Sequence, residues 1–169
     1  MIICGYAGTG KSTAARKIKG VVDLESTPFQ KDWDTYTRVA KHMSDQGYIV
    51  LLSCHKELRE KLHEIGEKYI VVYPDIDQKE EYRERYVERG NTQEFIDNQM
   101  SHWDEWVGDS LIWMNDNDEI EEERVVFLEK TPSGYLESMS DLIDDIIRYG
   151  EGVFDLNDGS WKEPNTNTK

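Results

Sequence analysis

An α/β fold with a parallel, doubly wound sheet is predicted by two features of the chain: short apolar runs that alternate with amphipathic segments, and a glycine-rich loop between the first run and the first helix. Ile2-Ile3, Val21-Val22, Ile49 to Leu52, Tyr69 to Tyr73 and Val125 to Leu128 are continuous rather than alternating in hydrophobicity. Runs of that kind suit strands covered on both faces. Ser12 to Ile18 predicts the first helix. Further along, Tyr36, Ala40 and Met43 mark a second helix, and Leu58, Leu62 and Ile65 a third. Gln78 to Gly90 reads as a charged helix, and Ile96, Met100, Trp103 and Val107 recur at i, i+4, i+7 and i+11. Met139, Leu142, Ile143 and Ile146 make the last apolar stripe. At 169 residues the chain fits one compact domain, placed at 1–154. Asn115 to Glu123 holds six acidic residues in nine and predicts a solvated loop, and 155–169 is expected to be a loose polar tail.

The glycine-rich segment Gly5-Tyr6-Ala7-Gly8-Thr9-Gly10-Lys11-Ser12 fits G-x-x-x-x-G-K-[S/T] at every fixed position. Physically, Gly5, Gly8 and Gly10 let the backbone curl until successive N–H groups point inward at a β-phosphate. Lys11 would bridge β- and γ-phosphates, and the Ser12 hydroxyl would ligate Mg²⁺. The helix from Ser12 and Thr13 onward would turn the positive end of its dipole toward the phosphates. A strand, this loop and a helix in that order point to nucleotide binding.

Composition narrows the possibilities. Thirty-five acidic against twenty basic residues give a net charge of −15, which disfavours a duplex-coating protein and leaves room only for a local basic groove. The first residues already read as the loop's strand, so no secretory leader is expected. No apolar run approaches the roughly 18 residues of a membrane span, and a cytoplasmic protein (host cytoplasm if viral) is expected. Cys4 and Cys54 lie in apolar runs, and no metal-ligand spacing of cysteines or histidines is present. The chain lacks an N-K-x-D motif, and its third strand ends Leu52-Ser53-Cys54-His55 without an acidic residue. A small kinase therefore fits better than a GTPase or a motor ATPase.

Four further segments are candidates for the chemistry. Val21-Val22-Asp23-Leu24-Glu25-Ser26 puts two carboxylates at the end of the second strand, as base and metal-orienting group, with Asp23 preferred for the chemistry. His55, Lys56 and Arg59 follow the third strand and could bind acceptor phosphate or sugar; His55 is equally readable as a structural histidine. Arg83, Arg85 and Arg89 lie on the charged helix, where closure would bring them to the transferring phosphoryl, or where Glu81 would pair with Arg85 on an exposed face. Arg89-Gly90 suits a hinge. Trp33 or Phe29, after the second strand, could stack on an acceptor base; Trp103 lies on an apolar stripe and reads as core.

Together, Gly5 to Ser12, Asp23-Leu24-Glu25-Ser26 and the run Tyr82-x-Glu84-Arg85-Tyr86-x-x-Arg89-Gly90 resemble the P-loop nucleoside and nucleotide kinase superfamily. More closely, the chain resembles small bacterial and bacteriophage deoxynucleoside monophosphate kinase-like proteins, over most of residues 1–150. The resemblance implies a three-layer P-loop NTPase fold with a five-stranded parallel sheet and a small helical lid at about 76–110. It also implies ATP with Mg²⁺ as donor and a (deoxy)nucleoside monophosphate or nucleoside as acceptor. Thymidylate-type kinases carry an Asp-Arg pair after the third strand, where this chain has Cys54-His55. Polynucleotide 5′-kinases and phage hydroxymethyluracil DNA kinases, which belong to the same superfamily, make a hydroxyl in DNA the alternative acceptor. A nucleotide-binding regulator without transfer activity is the third reading.

Overall fold

The computed structural model describes residues 1–108, 123–128, 138–149, 153–155 and 160–162. Strands β1 (Ile2–Gly5), β2 (Val21–Asp23), β3 (Ile49–Ser53) and β4 (Tyr69–Pro74) form a parallel sheet in the order β2-β3-β1-β4, and β5 (Glu123–Leu128) extends it in parallel along β4. The register Ile3↔Leu51 and Ile3↔Ile70 puts β1 at the centre, so the loop after it leaves from the middle of the sheet's C-terminal edge. Every residue of β1 and β4 is buried, as the continuous apolar runs require.

Helices cover both faces. On one lie α2 (Trp33–Asp45), α3 (Lys56–Glu64), α4 (Lys79–Glu88) and α5 (Gln93–Ser101), whose Tyr36, Leu58, Tyr82 and Ile96 share a core with Ile2, Cys4, Val50 and Leu52. On the other, α1 (Lys11–Lys17) and α6 (Met139–Tyr149) pack Ala14, Met139, Leu142 and Ile143 against Ile3, Leu51 and Val72. Side-chain caps fix the helix starts. The Asp32 carboxylate accepts from the Thr35 amide at 3.0 Å, and the Thr92 hydroxyl from the Phe95 amide at 3.2 Å.

Three sequence expectations are corrected. Ile65 lies beyond the end of α3 and is 48% exposed, because the helix stops at Glu64 and the chain turns through Gly66. The stripe Ile96 to Val107 is not one regular helix: α5 ends at Ser101, and a π-helical turn follows at Asp104–Gly108. Widening that turn keeps both Trp103 and Val107 fully buried, and the Trp103 indole N–H donates to the Ile76 carbonyl at 2.9 Å. Finally, the supposed tail from 155 contains a strand: β6 (Val153–Asp155) pairs antiparallel with β7 (Ser160–Lys162), bringing Phe154 opposite Trp161 in register. Three-residue strands are too short to show a period, although Asp158-Gly159 between them is a hairpin signal. The acidic stretch at 115–122 lies outside the described residues, as does Trp113, and Glu123 opens β5. Among the described residues no helix is long and apolar enough to cross a membrane.

The glycine loop is locked from both sides. Gly8 has φ +87, and a Cβ there would meet the Tyr86 ring at 3.0 Å and the Tyr82 ring at 3.1 Å. Gly5 is required by proximity instead, since a Cβ would meet the Met139 terminal methyl at 2.8 Å and the Thr9 hydroxyl at 2.9 Å. Gly8→Ala is therefore expected to lower stability by about 1–3 kcal/mol, from left-handed backbone strain and displaced tyrosines. Urea unfolding monitored by circular dichroism would measure it, and an unchanged midpoint would show that the loop relaxes away from α4.

Candidate functional site

Lys11 is the first residue of α1, and its side chain turns back under the loop. The ammonium donates to the Gly5 carbonyl at 2.7 Å and the Tyr6 carbonyl at 3.2 Å. Withdrawal from water lowers its pKa; Asp23, Cys54 and Glu25 push it back up, and the Arg89 charge adds to the lowering. A cation held this way gains from an anion placed beside it. The loop is further fixed by the buried Thr9, whose hydroxyl donates to the Tyr6 carbonyl at 2.8 Å and whose own carbonyl accepts from the Met139 amide at 3.1 Å. Gly10, at φ +96, starts α1 by accepting from the Thr13 and Ala14 amides.

Ser12 and Asp23 meet as the sequence anticipated. The Ser12 hydroxyl donates to the Asp23 carboxylate at 2.6 Å, joining the start of α1 to the end of β2. A hydroxyl and a carboxylate side by side are hard oxygen donors suited to Mg²⁺, which is commonly held by one or two carboxylates with phosphates and water completing its octahedron. Among the described residues no group of three or more histidine, cysteine or acidic side chains could hold a metal without such outside ligands. Glu25 is exposed, two residues further on, and its charge still reaches Lys11.

Helix α4 closes over the opposite side of the loop. The Tyr86 hydroxyl donates to the Ala7 carbonyl at 2.9 Å, and the Arg85 guanidinium reaches the Gly8 carbonyl at 3.5 Å. Arg85 also pairs with Glu81 at 2.6 Å and lies 4.7 Å over the Tyr82 ring. The Glu81–Arg85 pair expected of an exposed helix thus forms, on a residue that also reaches the loop. Arg85 touches the loop, whereas Arg83 is exposed and pairs with Glu80 at 4.0 Å. Arg89 is exposed at the helix end, near enough for its charge to act on Lys11 and Tyr86. Gly90, at φ +72, donates to the Val87 carbonyl at 2.9 Å, so the Arg89-Gly90 stop is a left-handed helix cap.

Beside the loop lies a cavity of about 930 Å³, within the range of small-molecule clefts. Its sheet end is made by Gly5, Tyr6, Lys11 and Ser53; α3 contributes Lys56 and Arg59, and α5 with the π-helical turn contributes Asn98, Gln99 and Trp106. His55 lines it too, at the N-cap of α3. Although much of the residue reaches solvent, the ring lies 5.1 Å from that of Trp33. Burial lowers its pKa, with the charges of Lys31 and Lys11 acting in the same direction against Glu57.

Trp33 and Phe29, the sequence candidates for base stacking, are not part of the cavity wall. Phe29 packs on Tyr36 at 4.8 Å, and Trp33 lies between Tyr36 and His55. The aromatic wall is instead Tyr6, Tyr69, Tyr73, Phe95 and Trp106. Trp106 carried a signal in the sequence, since it is a large aromatic off the Ile96–Val107 stripe; Asn98 and Gln99 carried none beyond their polarity. Two buried hydroxyls at the sheet end, of Tyr6 and Ser53, have no hydrogen-bond partner. Burial raises the Tyr6 pKa well above its usual value, so the phenol stays protonated and available as a donor. No protein-family model and no curated protein sequence matches this chain.

Proposed function

We propose that the chain is a P-loop phosphotransferase that moves the γ-phosphate of ATP to a hydroxyl-type oxygen of a nucleoside or nucleotide acceptor. The observation carrying this reading is one arrangement: Lys11 held within the glycine loop, the Ser12–Asp23 contact at 2.6 Å, and an acceptor-sized cavity opening beside them. The parallel sheet with helices on both faces supports assignment to the three-layer P-loop NTPase class.

In this reading Lys11 exchanges its two carbonyl contacts for β- and γ-phosphate oxygens, which relieves the unfavourable burial of its charge. Ser12 and Asp23 would hold Mg²⁺, which would supply charge neutralisation for the transferring phosphate. Asp23, preferred for the chemistry from the sequence, is engaged with Ser12, so in this reading the second carboxylate, Glu25, accepts the proton of the attacking hydroxyl. The acceptor oxygen forms its bond to the γ-phosphorus while the bond to the β,γ-bridging oxygen breaks, and ADP leaves with that oxygen. Arg85, swung from Glu81 and Gly8 toward the phosphates, adds positive charge. Arg89 stands at the same helix end.

Lys11→Ala should reduce transfer from γ-labelled ATP by about 100-fold or more and remove ATP-induced thermal stabilisation. Turnover like that of the unaltered chain would refute the kinase reading. A panel of nucleosides, monophosphates, hydroxymethylated DNA and 5′-hydroxyl DNA then identifies the acceptor by where the label appears; label on none of them would favour a nucleotide-binding regulator.

Asp23→Asn and Glu25→Gln separate the two carboxylates. Asp23→Asn should raise the Mg²⁺ concentration needed for half-maximal rate while leaving metal-free nucleotide binding intact. Glu25→Gln should lower kcat by about 10²-fold or more at saturating Mg²⁺, the size of a general-base contribution. Identical profiles for the two variants would overturn this division of labour.

A further inference from the structure

The backbone dipoles of the glycine loop are sorted, and the sorting gives α4 a task that its arginines do not explain. Each carbonyl from Gly5 to Gly10 has a donor. Lys11 takes those of Gly5 and Tyr6, and the Thr9 hydroxyl also reaches the Tyr6 carbonyl. The Met139 amide holds the Thr9 carbonyl, and the first turn of α1 holds that of Gly10. The two carbonyls in the middle belong to α4: Tyr86 donates to Ala7 at 2.9 Å, and Arg85 reaches Gly8 at 3.5 Å. The donors of the loop are treated differently, since among the described residues the Gly8 N–H donates to no backbone carbonyl.

Peptide geometry connects these contacts. No described peptide bond is cis, so the Ala7 C=O and the Gly8 N–H point in opposite directions within one plane. Fixing the Ala7 carbonyl toward α4 therefore turns the Gly8 N–H away from α4. The α4 side of Gly8 is closed by the rings of Tyr82 and Tyr86, which a Cβ there would meet at 3.1 and 3.0 Å. An anion approaches from the other side, where the N–H points. Gly8 and Gly10, at φ +87 and +96, supply the left-handed curl that aims successive N–H groups at one anion.

Tyr86 is built for a fixed contact. It is fully buried, and its ring meets Phe95 edge-on at 5.3 Å. Burial raises its pKa well above the usual value, so the phenol remains protonated and keeps its donor. We propose that Tyr86 is a positioning residue of the phosphate site: its hydroxyl fixes the Ala7–Gly8 peptide so that the Gly8 N–H already faces the place a polyphosphate takes. The inference rests on the phosphotransferase reading for the ligand's being a polyphosphate, but on no transfer step. In that reading Lys11 and Arg85 both change partners when the nucleotide arrives, whereas Tyr86 does not. A loop ordered in advance lowers the entropic cost of binding.

Calorimetric titration of the whole chain with ATP and with inorganic tripolyphosphate, which has neither base nor sugar, tests the assignment. Tyr86→Phe keeps the ring and should weaken both ligands by the same factor, about three- to tenfold. Tyr82→Phe is the matched comparison, because that hydroxyl lies one helical turn away and has no partner; it should leave both affinities unchanged. In the unaltered chain the Gly8 amide proton resonance should move downfield on saturation with tripolyphosphate, the signature of a hydrogen bond to an anionic oxygen. That measurement needs no variant. Binding by Tyr86→Phe as tight as that of the unaltered chain, an equal loss in Tyr82→Phe, weakening confined to ATP, or a Gly8 resonance that does not respond would each overturn the proposal. If label is transferred while Tyr86→Phe binds ATP normally, this inference fails alone. If polyphosphate binding shows the expected pattern and no acceptor is labelled, it stands and the phosphotransferase reading fails. Binding of neither ligand overturns both.

Discussion

Placing an ammonium among backbone carbonyls, away from water, costs free energy, and the contacts of Lys11 with Gly5 and Tyr6 recover only part of it. That imbalance organises the site around it. The carboxylates of Asp23 and Glu25 offset it from the end of β2, and Arg89 worsens it from the end of α4. A group of high negative charge density would offset it, and in the proposed function a polyphosphate is that group. The position of Lys11 is in turn fixed by β1, whose central place in the sheet delivers the loop between the two helical layers.

The loop's rigidity comes largely from aromatic packing. Tyr6 meets Trp103 edge-on at 5.7 Å, Trp103 meets Tyr82 at 5.3 Å, and Tyr86 meets Phe95 edge-on at 5.3 Å. Tyr82, Tyr86 and Trp103 are fully buried, so this chain of rings joins the loop to α4 and the π-helical turn. Each large aromatic buried in this way is worth about 3–5 kcal/mol on truncation. A helical segment anchored so heavily does not swing as a whole. Movement at the site is more economically confined to Arg85, which lies among Glu81, Tyr82 and the Gly8 carbonyl and can change partners by side-chain rotation alone.

Much of this was legible in the sequence because the relevant signals are local. Continuous apolar runs mark strands buried on both faces, and the spacing of Gly5, Gly8, Gly10, Lys11 and Ser12 dictates a loop geometry whatever surrounds it. Asp23 was legible because a parallel sheet brings successive strand ends to one edge. What escaped is contact between distant segments. The sequence put Arg85 and Arg89 on one helix face and Arg83 on its neighbour, but of the three only Arg85 contacts Gly8. It favoured Trp33 and Phe29 as base platforms because they follow β2, but Tyr36 and His55 engage them. The π-helical turn that presents Trp106 depends on an inserted residue that a 3.6-residue period cannot register.

The same distinction separates donor from acceptor. A phosphate-binding loop works through backbone geometry, one lysine and one hydroxyl, so a short motif can specify it nearly alone. The cavity that the proposed function gives to the acceptor is assembled from β1, β3, α3, α5 and the π-helical turn, so no short stretch of sequence marks it. Discrimination in a cavity of this kind depends on the difference between its attractive and repulsive groups rather than on the strength of any single contact.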